Sequence, residues 1–229
     1  MKLVQPIRDR EKLEEMKMEL LKLGFKNYLM FVVGINTGLR ISDILELKVN
    51  DLKDKTHIKI IEQKTNKIKR FLINSLLKIE INKFIKGMAD EEYLFQSRKG
   101  ENKPISRVQA YRILNSAAES IGLEEIGTHT LRKTFGYWHY KQYKDVALLQ
   151  EIFNHSSPSV TLRYIGINED IKDKSIENFI EKFKFNKPYK LYFHGWSEIR
   201  LLLVDLSNNL VIANKQGKSV KKVYIHTSL

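Results

Sequence analysis

The sequence predicts a mainly α-helical protein with a small antiparallel β-hairpin and a small β-rich C-terminal appendage. Apolar residues recur at helical spacing over most of the first two thirds of the chain. Two short segments around residue 65 are instead rich in Ile and Phe with partial alternation, which is typical of paired strands. After Pro188 the pattern changes to short apolar runs between turn residues. We therefore expect two domains, residues 1–186 and residues 187–229.

Start and stop signals locate the predicted helices. Gly24 ends the first helix and Thr37-Gly38 ends the second, because glycine readily adopts the left-handed conformation that follows helix C-termini. Ser106, Asp145 and Ser157 are predicted N-caps. The predicted helices span residues 9–23, 26–36, 75–85, 106–121 and 169–183, and four more begin near residues 42, 128 or 130, 145 and 157.

Two further sets of expectations concern the strands and one helix face. The hairpin is predicted to pair residues 57–63 with 67–73 across a polar turn that begins at Lys64. The helix at 75–85 carries its predicted apolar periodicity in Leu76, Ile79 and Phe84. The appendage is predicted to contain short strands at residues 190–194, 199–206, 210–213 and 220–226.

The bulk composition narrows the functional class. Lys and Arg number 40 against 27 acidic residues, which gives a formal net charge of +13. Such a surface favours polyanions, of which nucleic acid is the commonest, although a Lys-rich proteome would produce the same balance. The absence of cysteine excludes disulfides, thiolate metal sites and cysteine nucleophiles. Because no signal peptide or membrane-length apolar run is visible, we expect a cytoplasmic protein without a membrane partner.

The first candidate for chemistry is the pair His129 and Arg132. Residues three apart on a helix share a face, so both side chains can reach one phosphate. The guanidinium of Arg132 would donate two parallel hydrogen bonds to the phosphate, and the imidazole of His129 would act as a hydrogen-bond donor or as a base. Taken alone, the same pair is more often a surface charge and a capping residue.

Arg40 and the predicted hairpin turn supply further cations. Arg40 follows a helix break and leads into another helix, where backbone donors favour an anion, and Asp43 can hold it by an ion pair. Lys64 could carry an ammonium group to a phosphate from the turn, with Lys67 as a rival. The ordinary alternatives are a weak surface salt bridge and a solvated turn lysine.

The last candidates are His155 and Tyr164. His155 ends one helix, and Tyr164 follows nine residues later on the next. A free tyrosine has a pKa near 10, so it attacks phosphorus only where a base and nearby cations stabilise the phenolate. The alternative is a half-buried helix aromatic.

Together and in this order, these residues resemble the tyrosine recombinase (phage integrase) family. Its pattern is Arg, a hairpin Lys, His-x-x-Arg, His or Trp, and then Tyr. The segments TGLRISDILEL, QKTNK, THTLRKTF and NHSSPSVTLRYIG are each similar to family segments, and the resemblance covers roughly residues 8–183. It implies the recombinase catalytic fold for residues 1–186.

The resemblance also implies roles. Tyr164 would attack a DNA phosphorus and form a 3′-phosphotyrosyl bond while Arg40 and Arg132 clamp the phosphate. Lys64 would protonate the leaving oxygen, His129 would accept the tyrosine proton, and His155 would donate a hydrogen bond. No metal or other cofactor is expected. The remaining expectations are the DNA-contacting residues Lys67, Arg107, Lys133 and Arg163, and double-stranded DNA as partner.

Two features depart from the family pattern. Only about 39 residues precede Arg40, too few for the family's N-terminal clamp domain, so we expect either a stand-alone catalytic domain or a clamp supplied by a partner. Asn154 stands where Gly is usual before His155, and Asn tolerates the left-handed backbone. The family's post-tyrosine helix often docks on a neighbouring protomer, here residues 169–183, although packing on its own domain is equally compatible.

Three alternatives stay open at this point. A type IB topoisomerase-like enzyme would relax DNA with the same residues. A recombinase-derived regulator would bind DNA without cleaving it, although all six residue types are present. A metal hydrolase using His129 and His155 lacks the additional His, Asp or Glu ligands at suitable spacing.

Overall fold

The computed structural model describes residues 4–61, 68–182, 201–204, 209–213 and 219–224. The described helices are α1 Arg10–Lys22, α2 Phe25–Thr37, α3 Ile41–Leu45, α4 Ser75–Ile85, α5 Arg107–Ser120, α6 Thr130–Tyr143, α7 Val146–Phe153, α8 Pro158–Tyr164 and α9 Ile167–Lys182. The described strands are β1 His57–Ile61, β2 Ile68–Leu72, β3 Leu201–Val204, β4 Asn209–Ala213 and β5 Ser219–Tyr224. This mainly helical architecture with two small antiparallel sheets confirms the predicted fold class.

The capping residues explain where the helices begin. Ser106, Asp145 and Ser157 each accept a hydrogen bond from a backbone N–H in the first turn of the helix that follows, as predicted. Their side chains satisfy donors that have no partner inside a helix. Pro158 occupies the first helical position of α8, where its missing N–H costs nothing.

The hydrophobic interior of the described chain forms two clusters. The large cluster joins α1 to α5 with β1 and is mostly aliphatic, with Met16, Leu20 and Leu114 fully buried. The small cluster lies among α6, α7 and α8 and the start of α9, and consists of Tyr137, Leu149, Phe153, Ile165 and Ile167. Gly136 lets these helices approach closely, because a Cβ there would lie 2.7 Å from both Ile165 and Phe153.

The predicted apolar face of α4 is wrong at two of its three residues, since Phe84 packs partly buried against the core but Leu76 and Ile79 do not. Leu76 and Ile79 are 75% and 62% exposed, whereas the buried residues are Leu77, Ile81 and Ile85. The helix has two apolar stripes, and helical periodicity alone does not say which one faces the core. On α5, Leu114 and Ala118 are buried, whereas Val108 and Tyr111 are 58% and 42% exposed.

The hairpin pairs β1 with β2 in antiparallel register, from His57 opposite Leu72 to Ile61 opposite Ile68. Its predicted turn, including Lys64 and Lys67, lies outside the described residues. Ile58 is fully buried on one face, whereas Ile61 and Ile68 are more than half exposed on the other.

The chain divides into two compact units, residues 1–169 and 170–229. In the second unit, β3, β4 and β5 form an antiparallel sheet in that order, with a register shift at Ile212/Ala213. They correspond to three of the four predicted strands, and the fourth, at 190–194, lies outside the described residues. The predicted domain boundary at residue 186 stays a prediction. Among the described helices, none has the length and apolar character that crossing a membrane requires.

Candidate active site

Arg132 is the centre of the candidate site. It lies on the first turns of α6 and is only 4% exposed. Its guanidinium donates from Nη1 to the carbonyl oxygen of Gly38 at 2.6 Å and from Nη2 to that of Phe153 at 3.0 Å. Its Cζ also lies 4.2 Å from the centroid of the Phe153 ring. One buried side chain therefore joins α6 to the segments that precede Arg40 and His155.

The Gly38 turn brings Arg40 to the same place. Gly38 has a left-handed φ of 65° and its N–H caps α2, as the sequence predicted. A side chain at this position would also collide with the ring of Phe135. Arg40 then occupies the N-cap of α3 with an extended backbone and is half-buried. Asp43 lies in the first turn of α3, and its ion pair with Arg40 stays a prediction.

A second left-handed turn positions His155. Asn154 caps α7 with φ 52° and ψ 47°, which confirms that Asn can replace the usual Gly here. The N–H of His155 donates to Gln150 O at 3.0 Å, so the turn is closed by the backbone. The imidazole Nδ1 lies 3.1 Å from Oγ1 of Thr161, a fully buried residue of α8. The turn at Asn154 and the hydroxyl of Thr161 therefore fix the direction of this imidazole.

Tyr164 ends α8 with its hydroxyl directed into this group. The hydroxyl lies 3.3 Å from Nδ1 of His129, the N-cap residue of α6, and also accepts a hydrogen bond from the Arg132 side chain. The rings of His155 and Tyr164 meet edge-on with centroids 5.0 Å apart. A phenol held between a donor and a possible acceptor is ready to lose its proton toward the acceptor.

The electrostatics of the group follow from burial among cations. Burial lowers the pKa of His129, and the charges of Lys133, Arg132 and Arg40 lower it further. Burial, Arg132, Arg40 and Lys69 likewise lower the pKa of His155. Burial raises the pKa of Tyr164, against the opposing effect of Arg132 and Arg40. At neutral pH the site therefore holds a protonated phenol beside neutral imidazoles, and one of these can act as a base.

The structure brings together five of the six predicted catalytic residues: Arg40, His129, Arg132, His155 and Tyr164. The sixth, Lys64, lies outside the described residues, as does Lys67. Of the predicted DNA-contacting residues, Arg107 and Arg163 are exposed. Lys133 is half-buried, and its ammonium donates to Val4 O at 2.7 Å within the chain.

Three residues of the site were not predicted. Phe153 lies between Arg132, His155 and Tyr164, and its only signal was its place two residues before the histidine. No pattern in the sequence pointed to Thr161. Lys69 of β2 donates to Ile152 O at 2.8 Å and so ties the hairpin to the end of α7. Within the part of the chain that the structure describes, no group of three or more His, Asp or Glu side chains is placed to hold a metal.

Comparison with known proteins identifies relatives of this chain. The family model described as "Phage integrase family" matches residues 9–170, and one described as a domain of unknown function matches residues 141–226. A probable integrase/recombinase of Bacillus subtilis (strain 168), YoeC, is 56% identical over 170 residues, which cover 74% of this chain and 93% of that protein. Tyrosine recombinase XerH of Campylobacter jejuni is 31% identical over 63% of this chain and 42% of XerH. The chain therefore spans less than half of the length of XerH.

Solved structures show the same fold. The XerH recombinase bound to its difH substrate in a pre-cleavage complex matches with a TM-score of 0.59 at 22% identity, covering 72% of this chain and 51% of that one. The XerA recombinase matches with a TM-score of 0.62 at 17% identity, covering 81% and 66%. Because the family model covers residues 9–170 and the Bacillus relative is matched almost over its full length, the chain belongs to the phage integrase family, as a tyrosine recombinase catalytic domain.

Proposed function

We propose that the protein is a site-specific DNA recombinase that cleaves and rejoins strands through a 3′-phosphotyrosyl intermediate. The observation that carries the proposal is the placement of the Tyr164 hydroxyl, which contacts His129 and Arg132 within one chain. A tyrosine with these partners can become a nucleophile, because one partner accepts its proton and the other stabilises its charge.

The reaction we propose is an in-line displacement at phosphorus. Tyr164 Oη forms a bond to the scissile phosphorus while the bond from phosphorus to the 5′ oxygen breaks. The phenolic proton moves to His129, and the 5′ oxygen takes a proton from Lys64. The reverse attack by a 5′-hydroxyl of another strand restores the phosphodiester and the free tyrosine. The energy of the bond is kept in the protein–DNA link, so no nucleotide cofactor is needed.

The cationic residues would stabilise the transition state. Arg132 is pinned by two carbonyl groups, so its position does not have to be established during the reaction. Arg40 affects the pKa of His129, His155 and Tyr164, so its charge reaches all three groups. We assign both guanidinium groups to the non-bridging oxygens and His155 to an additional hydrogen bond. These fixed cations do the work that metal ions do in other phosphoryl transfers.

Double-stranded DNA is the proposed partner, and the cytoplasm is the proposed place of action. The net charge of +13 favours a polyanion, and we assign Lys67 and the exposed Arg107 and Arg163 to backbone phosphates. Each lost phosphate contact should lower the slope of log K against log salt by about one unit.

Self-association on DNA is proposed to use residues 169–183. In α9, Ile171 and Ile176 are 58% and 61% exposed, an arrangement that a neighbouring protomer could bury. Ile171→Asp with Ile176→Asp should abolish paired complexes on DNA in native gels without preventing cleavage by a single protomer. Unchanged pairing in this variant would argue for packing on its own domain.

Trapping on a nicked suicide substrate tests the proposed function. Cleavage near the nick releases a short fragment, so the covalent complex cannot be resealed. We expect a denaturant-resistant adduct with the wild-type protein and none with Tyr164→Phe. An adduct in the Phe variant would move the nucleophile elsewhere, and site-specific binding without any adduct would favour a DNA-binding regulator. Relaxation of supercoiled plasmid without site preference would favour a topoisomerase-like enzyme.

A further inference from the structure

The segment that precedes α1, Val4–Arg8, lies across α6 behind the candidate site. Ile7 is only 2% exposed, its N–H donates to Thr134 Oγ1 at 2.9 Å, and its carbonyl accepts from Trp138 Nε1 at 3.0 Å. Gln5 donates from its backbone N–H to Glu125 O at 2.9 Å. Buried backbone groups with partners on α6 and the preceding loop make this segment part of the folded domain.

One end of the segment reaches the tyrosine through Lys133. The Lys133 ammonium donates to Val4 O at 2.7 Å and lies 5.2 Å from the centroid of the Tyr164 ring. A cation at this distance over a ring face is attracted by the ring's quadrupole. The carbonyl of Val4 therefore holds the ammonium of Lys133, a residue of α6, near the ring of Tyr164.

The other end of the segment holds the chain just beyond the tyrosine. Arg8 Nη2 lies 3.4 Å from Gly166 O, to which it donates, and 3.6 Å from Glu169 Oε2. Gln5 Nε2 donates to the same Glu169 oxygen at 3.1 Å. Gly166 has a φ of +80°, a backbone conformation that favours glycine, and a Cβ there would lie 2.5 Å from the Arg8 guanidinium and push that side chain away. The segment thus reaches the Tyr164 ring through Lys133 and bonds the residues that follow Tyr164 through Arg8 and Gln5.

We propose that Val4–Arg8 is a positioning element for Tyr164, acting through the positioning residues Lys133 and Arg8. The proposal rests on the function proposed above. Helix α8 has only seven residues, too few to be stable by itself, so its direction depends on what holds its ends. Ser157 fixes its start, whereas Arg8 bonds the turn that follows Tyr164 and Gln5 bonds Glu169 in the first turn of α9. In-line attack tolerates little displacement, since an error of about 1 Å can cost about 10²-fold in rate.

The test compares Lys133→Met and Arg8→Gln with Arg10→Gln. Arg10 is the matched control, because it lies in the adjoining turn and, among the described residues, its guanidinium contacts Trp138 of α6 rather than α8. We measure single-turnover cleavage of the suicide substrate at saturating protein, DNA affinity and thermal unfolding. The proposal expects about 10-fold slower cleavage in both variants, with DNA affinity within about 2-fold of wild type and an unaltered control. Unaltered cleavage in both variants would overturn the proposal. A loss of DNA affinity that accounts for all of the slower cleavage would also overturn it, and would mean that Lys133 contacts DNA instead.

A charge exchange separates positioning from general destabilisation. Arg8→Glu should slow cleavage, and adding Glu169→Arg should restore part of the rate by re-forming the pair in reverse. A double variant no faster than the single one contradicts the proposal. Hydrogen–deuterium exchange of residues 158–166 supplies a readout that does not depend on cleavage: it should rise in Arg8→Gln and stay unchanged in Arg10→Gln. If the wild type forms no adduct, the proposed function fails while this exchange measurement still decides whether the segment holds α8.

Discussion

The two hydrophobic clusters differ in composition and in what they support. The large cluster is mostly aliphatic and fills the space among α1 to α5. The small cluster among α6, α7 and α8 contains Phe153 and Tyr137, and its partly buried neighbours include Phe135, Trp138 and Tyr164 itself. The proposed nucleophile is therefore part of the packing of the small cluster, whereas the large cluster contains Leu39, Ile41 and Leu131, the neighbours in sequence of Arg40 and Arg132.

This difference separates stability from catalysis. A defect in the large cluster should lower the free energy of unfolding and leave the geometry of the folded site intact. A defect in the small cluster should displace the groups of the candidate site, because Phe153 contacts Arg132, His155 and Tyr164 directly. The following substitutions test that separation, from the largest expected effect to the smallest.

Arg132→Ala should have the largest effect. It would remove a proposed transition-state donor, and the loss of one such donor costs about 10²–10³-fold in other enzymes. It also leaves the carbonyls of Gly38 and Phe153 without their guanidinium donor, at about 1–3 kcal/mol each. Adduct formation measured alongside chemical unfolding separates the two losses. Arg112→Ala, an exposed position on α5, is the control, and equal cleavage by both variants would remove Arg132 from the site.

Phe153→Ala and Leu20→Ala test the comparison itself. Both residues are fully buried, and we expect both variants to lose about 2–5 kcal/mol of unfolding free energy. At a temperature where both remain folded, only Phe153→Ala should slow cleavage, because only its cavity adjoins Arg132 and Tyr164. Slower cleavage by folded Leu20→Ala would mean that the two clusters are coupled more closely than their composition indicates.

Thr161→Val should have a smaller effect. The substitution keeps the shape of the side chain but removes the hydroxyl 3.1 Å from His155 Nδ1. With that contact gone, the imidazole orientation is less restricted, and we expect cleavage to fall by about 10-fold, the cost of about 1.4 kcal/mol. Thr161→Ser, which keeps the hydroxyl, should restore most of the rate. A Val variant as fast as wild type would show that other contacts orient His155.

The smallest expected effect is on stability against pH. Burial and then nearby cations lower the pKa of His129 and His155 in the folded protein, so these imidazoles resist protonation there. The unfolded chain takes up these protons near pH 6.5. The free energy of unfolding therefore keeps its full value above about pH 6.5 and decreases as the pH falls below it. A bound oligonucleotide should reduce the decrease, because phosphate favours protonated imidazole. Denaturant titrations from pH 8 to pH 5 measure it, and stability that rises toward pH 5 would reverse the sign.

The sequence predicted most helix boundaries because the signals for them are local, whereas the site residues lie far apart in the chain and were indicated by the order of the family's motifs. Ser106, Asp145 and Ser157 cap helices as predicted, since a cap depends on neighbours a few residues away. The buried face of α4 was mispredicted because two apolar stripes compete and tertiary packing chooses between them. The Lys133 bond to Val4 joins residues far apart in the chain, and no local pattern indicates such a contact.

Complementation between two inactive variants tests the central claim most directly. In the proposed site, one chain supplies Tyr164 together with His129 and Arg132, so we expect each protomer to use its own tyrosine. Tyr164→Phe and Arg132→Ala would be mixed on the suicide substrate, after native gels show that both bind it. We predict no covalent adduct beyond the residual level of Arg132→Ala alone. An adduct that appears only in the mixture would show that the tyrosine attacks at a neighbour's arginine, and would contradict the site described above.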